Sequence, residues 1–233
     1  MTGSDKKDTL YGYAGNDFLM GGKSNDKIYS GTGENIIVLN RGDGNDTLYV
    51  DKNATSNTIM FDQGSTISYS KSGKNLVVTA ANSLLEGQKI AETESVTIKD
   101  FFTSKGKDAI SSTLNVQLIG KESAAGIKSV LSEEDTYITQ TGAVKKSNKL
   151  YGAVDYNNEI TGGNKNDVIY AGDKNNRITG GKGNDKYYIS SDDMNAVSLI
   201  FDDSGNDTYN VKSLDTSVYI DDKSGKDVLK ITD

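Results

Sequence analysis

The stretch Gly180-Gly181-Lys182-Gly183-Asn184-Asp185-Lys186-Tyr187-Tyr188 reads as two local structures joined end to end. Glycine adopts positive φ without steric cost, so the first six residues form a sharp turn. The last three form a strand so short that only its middle residue, Tyr187, points inward. The same plan stands nine, eighteen and twenty-seven residues upstream, as Asn176 with Ile178, Asp167 with Ile169, and Asn158 with Ile160. A second run keeps the step near the N-terminus: Asp8, Asp17, Asp26 and Asn35, with Leu10, Leu19, Ile28 and Ile37 as the inward residues. Six Asn-Asp dipeptides mark these turns and their neighbours, at Asp17, Asp26, Asp46, Asp167, Asp185 and Asp207.

One buried side chain gains much less than the ordering of nine residues costs, so a single repeat does not fold alone. A fixed short period therefore means stacked coils that bury a shared core. An isolated hexad of this composition is also an ordinary surface turn. Eight copies in two nine-residue registers argue against that reading for the set.

Composition narrows the chemistry. The 233 residues include no His, Cys, Pro or Trp. Without His and Cys there is no Ser-His-Asp or Cys-His triad, no disulfide and no thiolate metal site. Carboxylates, hydroxyls and backbone carbonyls remain, and these hard oxygen ligands suit calcium or magnesium. Even with the 25 glycines counted as apolar and the 13 tyrosines left out, apolar content stays below the usual value of about 45–50%. The formal net charge of −7 argues against nucleic acid and anionic membrane surfaces as partners and favours cations. No segment approaches the roughly 18 apolar residues of a membrane span. Met1-Thr-Gly-Ser runs directly into polar sequence and does not read as a signal peptide. That leaves a cytosolic chain, one exported without an N-terminal signal, or a fragment.

The copy at 180–188 fits G-G-x-G-x-D-x-U-x, where U is a large apolar residue, and so resembles the RTX, or haemolysin-type calcium-binding, repeat. About 50 N-terminal and about 85 C-terminal residues carry the resemblance. It implies an all-β parallel β-roll, or β-solenoid, in two blocks over 1–52 and 148–233. A β-rich segment with at most one short helix lies between them, over 53–147. It implies calcium ions between turns stacked 18 residues apart, held by position-six carboxylates and turn carbonyls. Asp8 then stacks on Asp26, and Asp167 on Asp185. The implied ligand set is Asp8, Asp17, Asp26, Asp46, Asp167, Asp185 and Asp207, with Gly22, Gly163, Gly181 and Gly183 in the turns.

The pattern is uneven. Asn158 and Asn176 put amides on one edge of the second block, and amides are weaker ligands. The same turns carry Asp155 and Asp173 at position three, a ladder that either shifts the metal site or is solvated charge. Lys165 and Lys174 replace the position-four glycine, where a side chain strains the turn or an ammonium stands in for a lost cation. Ser24 and Lys6 occupy position four in the first block, and Asn35 ends its run. Only some stacked turn pairs are then expected to hold calcium.

Between the blocks, Ile67–Tyr69 and Leu76–Thr79 flank a glycine turn and predict a hairpin. Val96–Lys99 and Asn115–Ile119 predict further strands, and Asp100-Phe101-Phe102 resembles a segment that follows RTX repeats. Ser123–Asp135 predicts a short helix, with Ile127, Val130 and Leu131 on one face. After Asp185 the spacing stretches to Asp207 and Asp227, which predicts a longer-strand coil with a weaker metal signature.

The resemblance implies a calcium-binding, non-catalytic module of a larger secreted bacterial protein, using type I secretion machinery. Low calcium would keep the chain unfolded for export, and extracellular calcium would fold it. The alternatives are a surface-layer, adhesin or matrix protein that self-associates or meets a cell-surface partner, or an accessory module of a toxin or polysaccharide-modifying enzyme. Tyr13, Tyr29, Tyr151, Tyr170 and Tyr188 lie at outward positions, either as a contact face or paired along the strand surface. RTX proteases and lipases need His in their catalytic parts, so no enzyme activity is expected here.

Overall fold

A computed structural model describes the chain except residues 41, 62–64, 83–92, 103–109, 119–124, 132–135, 192, 213–216 and 233. The described residues are all-β apart from one short helix and one 3-10 turn, and they fall into two compact units. The first comprises Met1–Phe102 and Ala109–Val130, and the second is built from Leu131–Asp233.

In the first unit the nine-residue plan gives the three-residue strands β1 (Thr9–Tyr11), β2 (Phe18–Met20) and β3 (Lys27–Tyr29). Longer strands follow: β4 (Glu34–Leu39), β5 (Asn45–Tyr49) and β6 (Ser56–Phe61). Odd and even strands go to two parallel sheets. Leu10 pairs with Ile28 and then Leu48 in one sheet, and Leu19 with Ile37 and then Ile59 in the other. These six residues are all at most 3% exposed, so each coil delivers its apolar residues to a common core.

The segment after β6 extends these sheets. The predicted hairpin forms as β7 (Ser65–Ser72) and β8 (Asn75–Asn82), turning at Gly73, whose φ is +62°. β8 pairs antiparallel with β9 (Thr93–Ile98), and β9 returns parallel to β5 through Thr47↔Thr97. β10 (Leu114–Leu118) joins β6 in parallel, and β11 (Ala125–Gly126) closes that edge. Phe101 and Phe102 are buried edge to face. The predicted helix is present as α1 (Ile127–Leu131), with Ile127 and Leu131 buried; Ser123 and Ser132–Asp135 lie outside the described residues.

The second unit repeats the two-sheet plan with parallel strands throughout. One sheet runs through β12 (Tyr137–Thr141), β14 (Asn157–Gly163), β16 (Asn176–Gly181), β18 (Val197–Asp202) and β20 (Ser217–Asp222). The other runs through β13 (Lys149–Tyr151), β15 (Val168–Tyr170), β17 (Lys186–Ser190), β19 (Thr208–Lys212) and β21 (Val228–Thr232). The predicted long coil is explicit in the register: Val168↔Lys186 is an 18-residue step, Lys186↔Thr208 is 22 and Thr208↔Val228 is 20. The added length gives five-residue strands that bury two side chains each, Tyr187 with Ile189 and Tyr209 with Val211.

The outward tyrosines stack on one another. Tyr11, Tyr29 and Tyr49 form one column, with centroids 4.8 and 4.3 Å apart; Tyr151, Tyr170 and Tyr188 form another, at 4.6 and 4.7 Å. Tyr13 stacks on Tyr11 at 5.8 Å. Cross-strand pairing thus accounts for the two columns, while Tyr13 stacks within its own coil; each stacked pair is worth about 0.5–1.5 kcal/mol beyond burial.

Candidate metal centre

The aspartate at position six immediately precedes its strand, so parallel pairing of the strands stacks the aspartates in columns. In the first unit Asp8, Asp26 and Asp46 form one column. The backbone N–H of Asp8 donates to Asp26 Oδ1, and that of Asp26 to Asp46 Oδ1, both at 2.8 Å. In the second unit the column is Asn148, Asp167, Asp185, Asp207 and Asp227, with the same bond repeated at 2.6, 2.7, 2.6 and 2.9 Å. Beyond Asp8, one oxygen of each carboxylate is therefore a rung between coils.

The other oxygen is left over. Oδ2 of Asp17, Asp26, Asp46, Asp167, Asp185 and Asp207 is buried without a hydrogen-bond partner. Of these residues, Asp26, Asp46, Asp167, Asp185 and Asp207 are at most 1% exposed. A buried carboxylate oxygen without a donor is costly, and a cation is the chemistry that satisfies it. Burial pushes the Asp46 and Asp185 carboxyls up to about 7 and raises those of Asp26 and Asp207. Asp8 moves the other way, because the Ser4 hydroxyl and backbone N–H donate to it.

Glycine at position one shapes the space beside each free oxygen. A Cβ on Gly162 would lie 2.6 Å from Asp167 Oδ2 and collide with the Gly180 carbonyl. Gly21 stands in the same relation to Asp26, and Gly3 and Gly12 place a Cβ 3.0 and 3.1 Å from Asp8 and Asp17 Oδ2. The result is a small cradle of carboxylate and carbonyl oxygen, the donor set of calcium.

The asparagine edge is closed differently. Asn158 Nδ2 donates to the carbonyls of Ala153 and Tyr156 in its own turn, at 2.9 and 2.7 Å, and reaches Asn176 Oδ1 at 3.2 Å. Asn176 Nδ2 likewise donates to Gly172 and Lys174 carbonyls, at 3.0 and 2.7 Å, and to Ser198 Oγ at 3.1 Å. The amide N–H groups take up the turn carbonyls, and neither side chain leaves a buried atom unpartnered. Position one on these turns is Ala153 and Ala171. Asp17 belongs to a mixed edge: its N–H donates to Asn35 Oδ1, and Asn35 Nδ2 reaches Gly31 O and Asn57 Oδ1.

The remaining sequence-predicted residues divide. Gly22, Gly181 and Gly183 have φ of +88°, +104° and +119°, as the sharp turn requires. Gly163 has no such φ, and a Cβ there would meet the Ala143 carbonyl at 2.9 Å. Asp155 is exposed, with φ +27°, and the Asp173 carbonyl accepts the Ser191 hydroxyl. Neither joins a group of three carboxylates among the described residues. The strain expected at Lys165 and Lys174 is absent. Among described non-glycine residues positive φ falls on Tyr13, Ser24, Asp100 and Asp155, so of the position-four side chains only Ser24 takes the strained conformation. The Lys174 ammonium does not replace a cation either: it pairs with Asp193 at the surface, at 2.5 Å.

Two features escaped the sequence reading. The asparagine before each aspartate is a second ladder: Asn166 Oδ1 accepts Asn184 N–H, and Asn184 Oδ1 accepts Asn206 N–H, both at 2.9 Å. The recurrence of Asn-Asp was its signal. The second feature is Asp202 and Asp222, which stand five residues before Asp207 and Asp227, the place held by glycine in the shorter coils. Tyr187 donates its hydroxyl to Asp202 Oδ2, and Tyr209 to Asp222 Oδ2.

The family described as RTX calcium-binding nonapeptide repeat matches four copies in the chain, over residues 2–37 and 153–188. No curated protein matches it.

Proposed function

Starting from two segments that are RTX calcium-binding repeats, we propose that the chain is a non-catalytic, calcium-folded module of a larger secreted bacterial protein that leaves the cell by a type I route. The observation that carries this reading is the set of buried, unpartnered Oδ2 atoms in the aspartate columns. Asp8, Asp26 and Asp46 in the first unit, and Asp167 and Asp185 in the second, would hold the ions together with turn carbonyls. Bound calcium supplies the positive charge that lets these carboxylates stack in a buried space. Asp26, Asp46, Asp167 and Asp185 each fix one oxygen as a backbone rung and leave the other free, whereas Asp8 is held by Ser4.

Without the cation, aspartates of adjacent coils repel and their burial is uncompensated. Metal binding is then folding free energy, as in other small metal-dependent folds. At the low calcium of a cell interior the chain stays unfolded and fit for export. Outside, at about 10⁻⁴–10⁻³ M, it folds. The absence of Pro removes slow isomerisation from that step, and the absence of Cys removes wrong disulfides. Far-UV circular dichroism and small-angle scattering of the full chain test this. Expected is an expanded, largely unstructured chain in chelator and a compact β spectrum in millimolar calcium. A spectrum and radius unchanged by calcium would refute it.

A further inference from the structure

The C-terminal coils carry a carboxylate group that lies mostly beyond the matched repeats. We propose that Asp185, Asp202 and Asp207 form a second kind of cation site, which takes one calcium-class ion on three carboxylates rather than on carboxylates and glycine-turn carbonyls.

One oxygen from each of the three lies within 4.8 Å of the others, and the residues are 0%, 1% and 0% exposed. Oδ2 of Asp185 and of Asp207 has no hydrogen-bond partner. Their Oδ1 atoms are already held by backbone N–H groups of the preceding coil. Asp202 is held by the Ser204 N–H on Oδ1, at 3.2 Å, and by the Tyr187 hydroxyl on Oδ2. Each carboxylate is thus fixed by a protein donor and still has lone pairs to give. No ion pair reaches any of the three among the described residues; Lys223, the nearby ammonium, pairs with Asp203 at the surface. Three buried carboxylates with no counter-charge are a poor arrangement for a protein and a good one for a hard cation.

The geometry depends on the 22-residue coil. Thr179↔Phe201 pairing brings Asp202 beside Gly180. A Cβ on Gly180 would collide with the Tyr187 hydroxyl and lie 2.6 Å from Asp202 Oδ2, so the glycine makes room for the extra carboxylate. Tyr187 is a positioning residue here: it replaces the isoleucine of earlier coils at the inward position, and its hydroxyl aims Asp202 into the group. The same three positions one coil on, Asp207, Asp222 and Asp227, also converge, but Asp227 is exposed and no site is assigned to them.

The test is calcium titration calorimetry on the full chain, with terbium(III) as a luminescent probe of calcium sites excited through tyrosine. Asp202→Asn keeps an acceptor for Tyr187 but removes a charge. It is expected to lower the stoichiometry by one ion per chain and to reduce tyrosine-sensitised terbium emission at least twofold. Asp202→Gly, which restores the residue of the shorter coils, is expected to lose the same ion with circular dichroism unchanged, and it decides the matter where Asp202→Asn folds poorly. Unchanged stoichiometry and affinity in the folded variants would overturn the site. Asp26→Asn, in the first unit, separates this from the repeat reading: it removes an ion from the repeat columns whatever happens at Asp202.

Discussion

Two edges of the second unit present the same backbone problem and solve it oppositely. On one, Asn158 and Asn176 turn their amides onto the carbonyls of their own turns, and the edge is complete. On the other, Asp167 and Asp185 use one oxygen as a rung and bury the second without a donor. An amide carries its own hydrogen-bond donors, whereas a carboxylate must import positive charge. The unit therefore combines an edge whose polar atoms are satisfied by protein alone with one that leaves buried carboxylate oxygens unpartnered, and the residue at position six selects between them.

The largest effect is expected from converting the closed edge into an open one. Asn158→Asp with Asn176→Asp removes both amide caps and adds two buried charges. The calcium concentration at the midpoint of folding, read by circular dichroism, should rise by about tenfold or more, and saturating calcium should restore the fold. A double variant that folds at the same calcium concentration as the parent would break the comparison.

Gly162→Ala acts on the open edge. Its Cβ falls on Asp167 Oδ2 and the Gly180 carbonyl, so the expected outcome is loss of one calcium in titration. A destabilisation of about 1–3 kcal/mol in calcium should accompany it, from strain and the lost ion. Ala171→Gly, at the same position on the amide edge, should leave the stoichiometry unchanged.

Asp167→Asn runs the exchange the other way. The new amide supplies donors to its turn, so one ion should be lost in titration while the remaining fold forms at a lower calcium concentration. A higher calcium requirement for folding would mean the carboxylate is not the unsatisfied partner.

The smallest effect is that of acid. Burial raises the Asp46 and Asp185 carboxyls to about 7 in the folded chain, against 3.8 for an ordinary aspartate. The folded state therefore binds more protons between those values. Their stabilising contribution is complete below about 3.8 and is lost as pH rises through about 7. Without calcium, the β signal in circular dichroism should increase as pH is lowered from 8 to 5, and calcium binding near pH 7 should release protons, seen as a buffer-dependent heat. The amide edge has no part in this, so Asn158 and Asn176 variants to Gln should leave the slope unchanged.

Much of this was legible in the sequence because the repeat is local. Nine-residue spacing placed Leu10, Leu19, Ile28, Ile160, Ile169 and Ile178 in the core and Asp8 on Asp26. The long coils after Asp185 were legible from the stretched spacing, and the hairpin from its glycine turn. Other features depend on contacts that leave no local period. β9 returns to β5 across 50 residues and β10 to β6 across 57, with no repeat to announce either. The asparagines were read as weak ligands, since the motif speaks only of position six; that their amides act as donors needed the turn's coordinates. Likewise Lys165 and Lys174 sit where the motif has glycine, yet the backbone there avoids positive φ. Asp202 was hidden because it occupies a glycine position, and only the 22-residue coil turns that position into a third carboxylate.

The central claim is that the unpartnered aspartate oxygens are the places where calcium enters, and that the amide edge excludes it. A crystal structure grown in calcium, with anomalous difference density used to place the ions, tests this directly. The account predicts density beside Asp26 and between Asp167 and Asp185, and none at Asn158 and Asn176. Density on the asparagine edge, or bare aspartate columns in a calcium-saturated crystal, would contradict it.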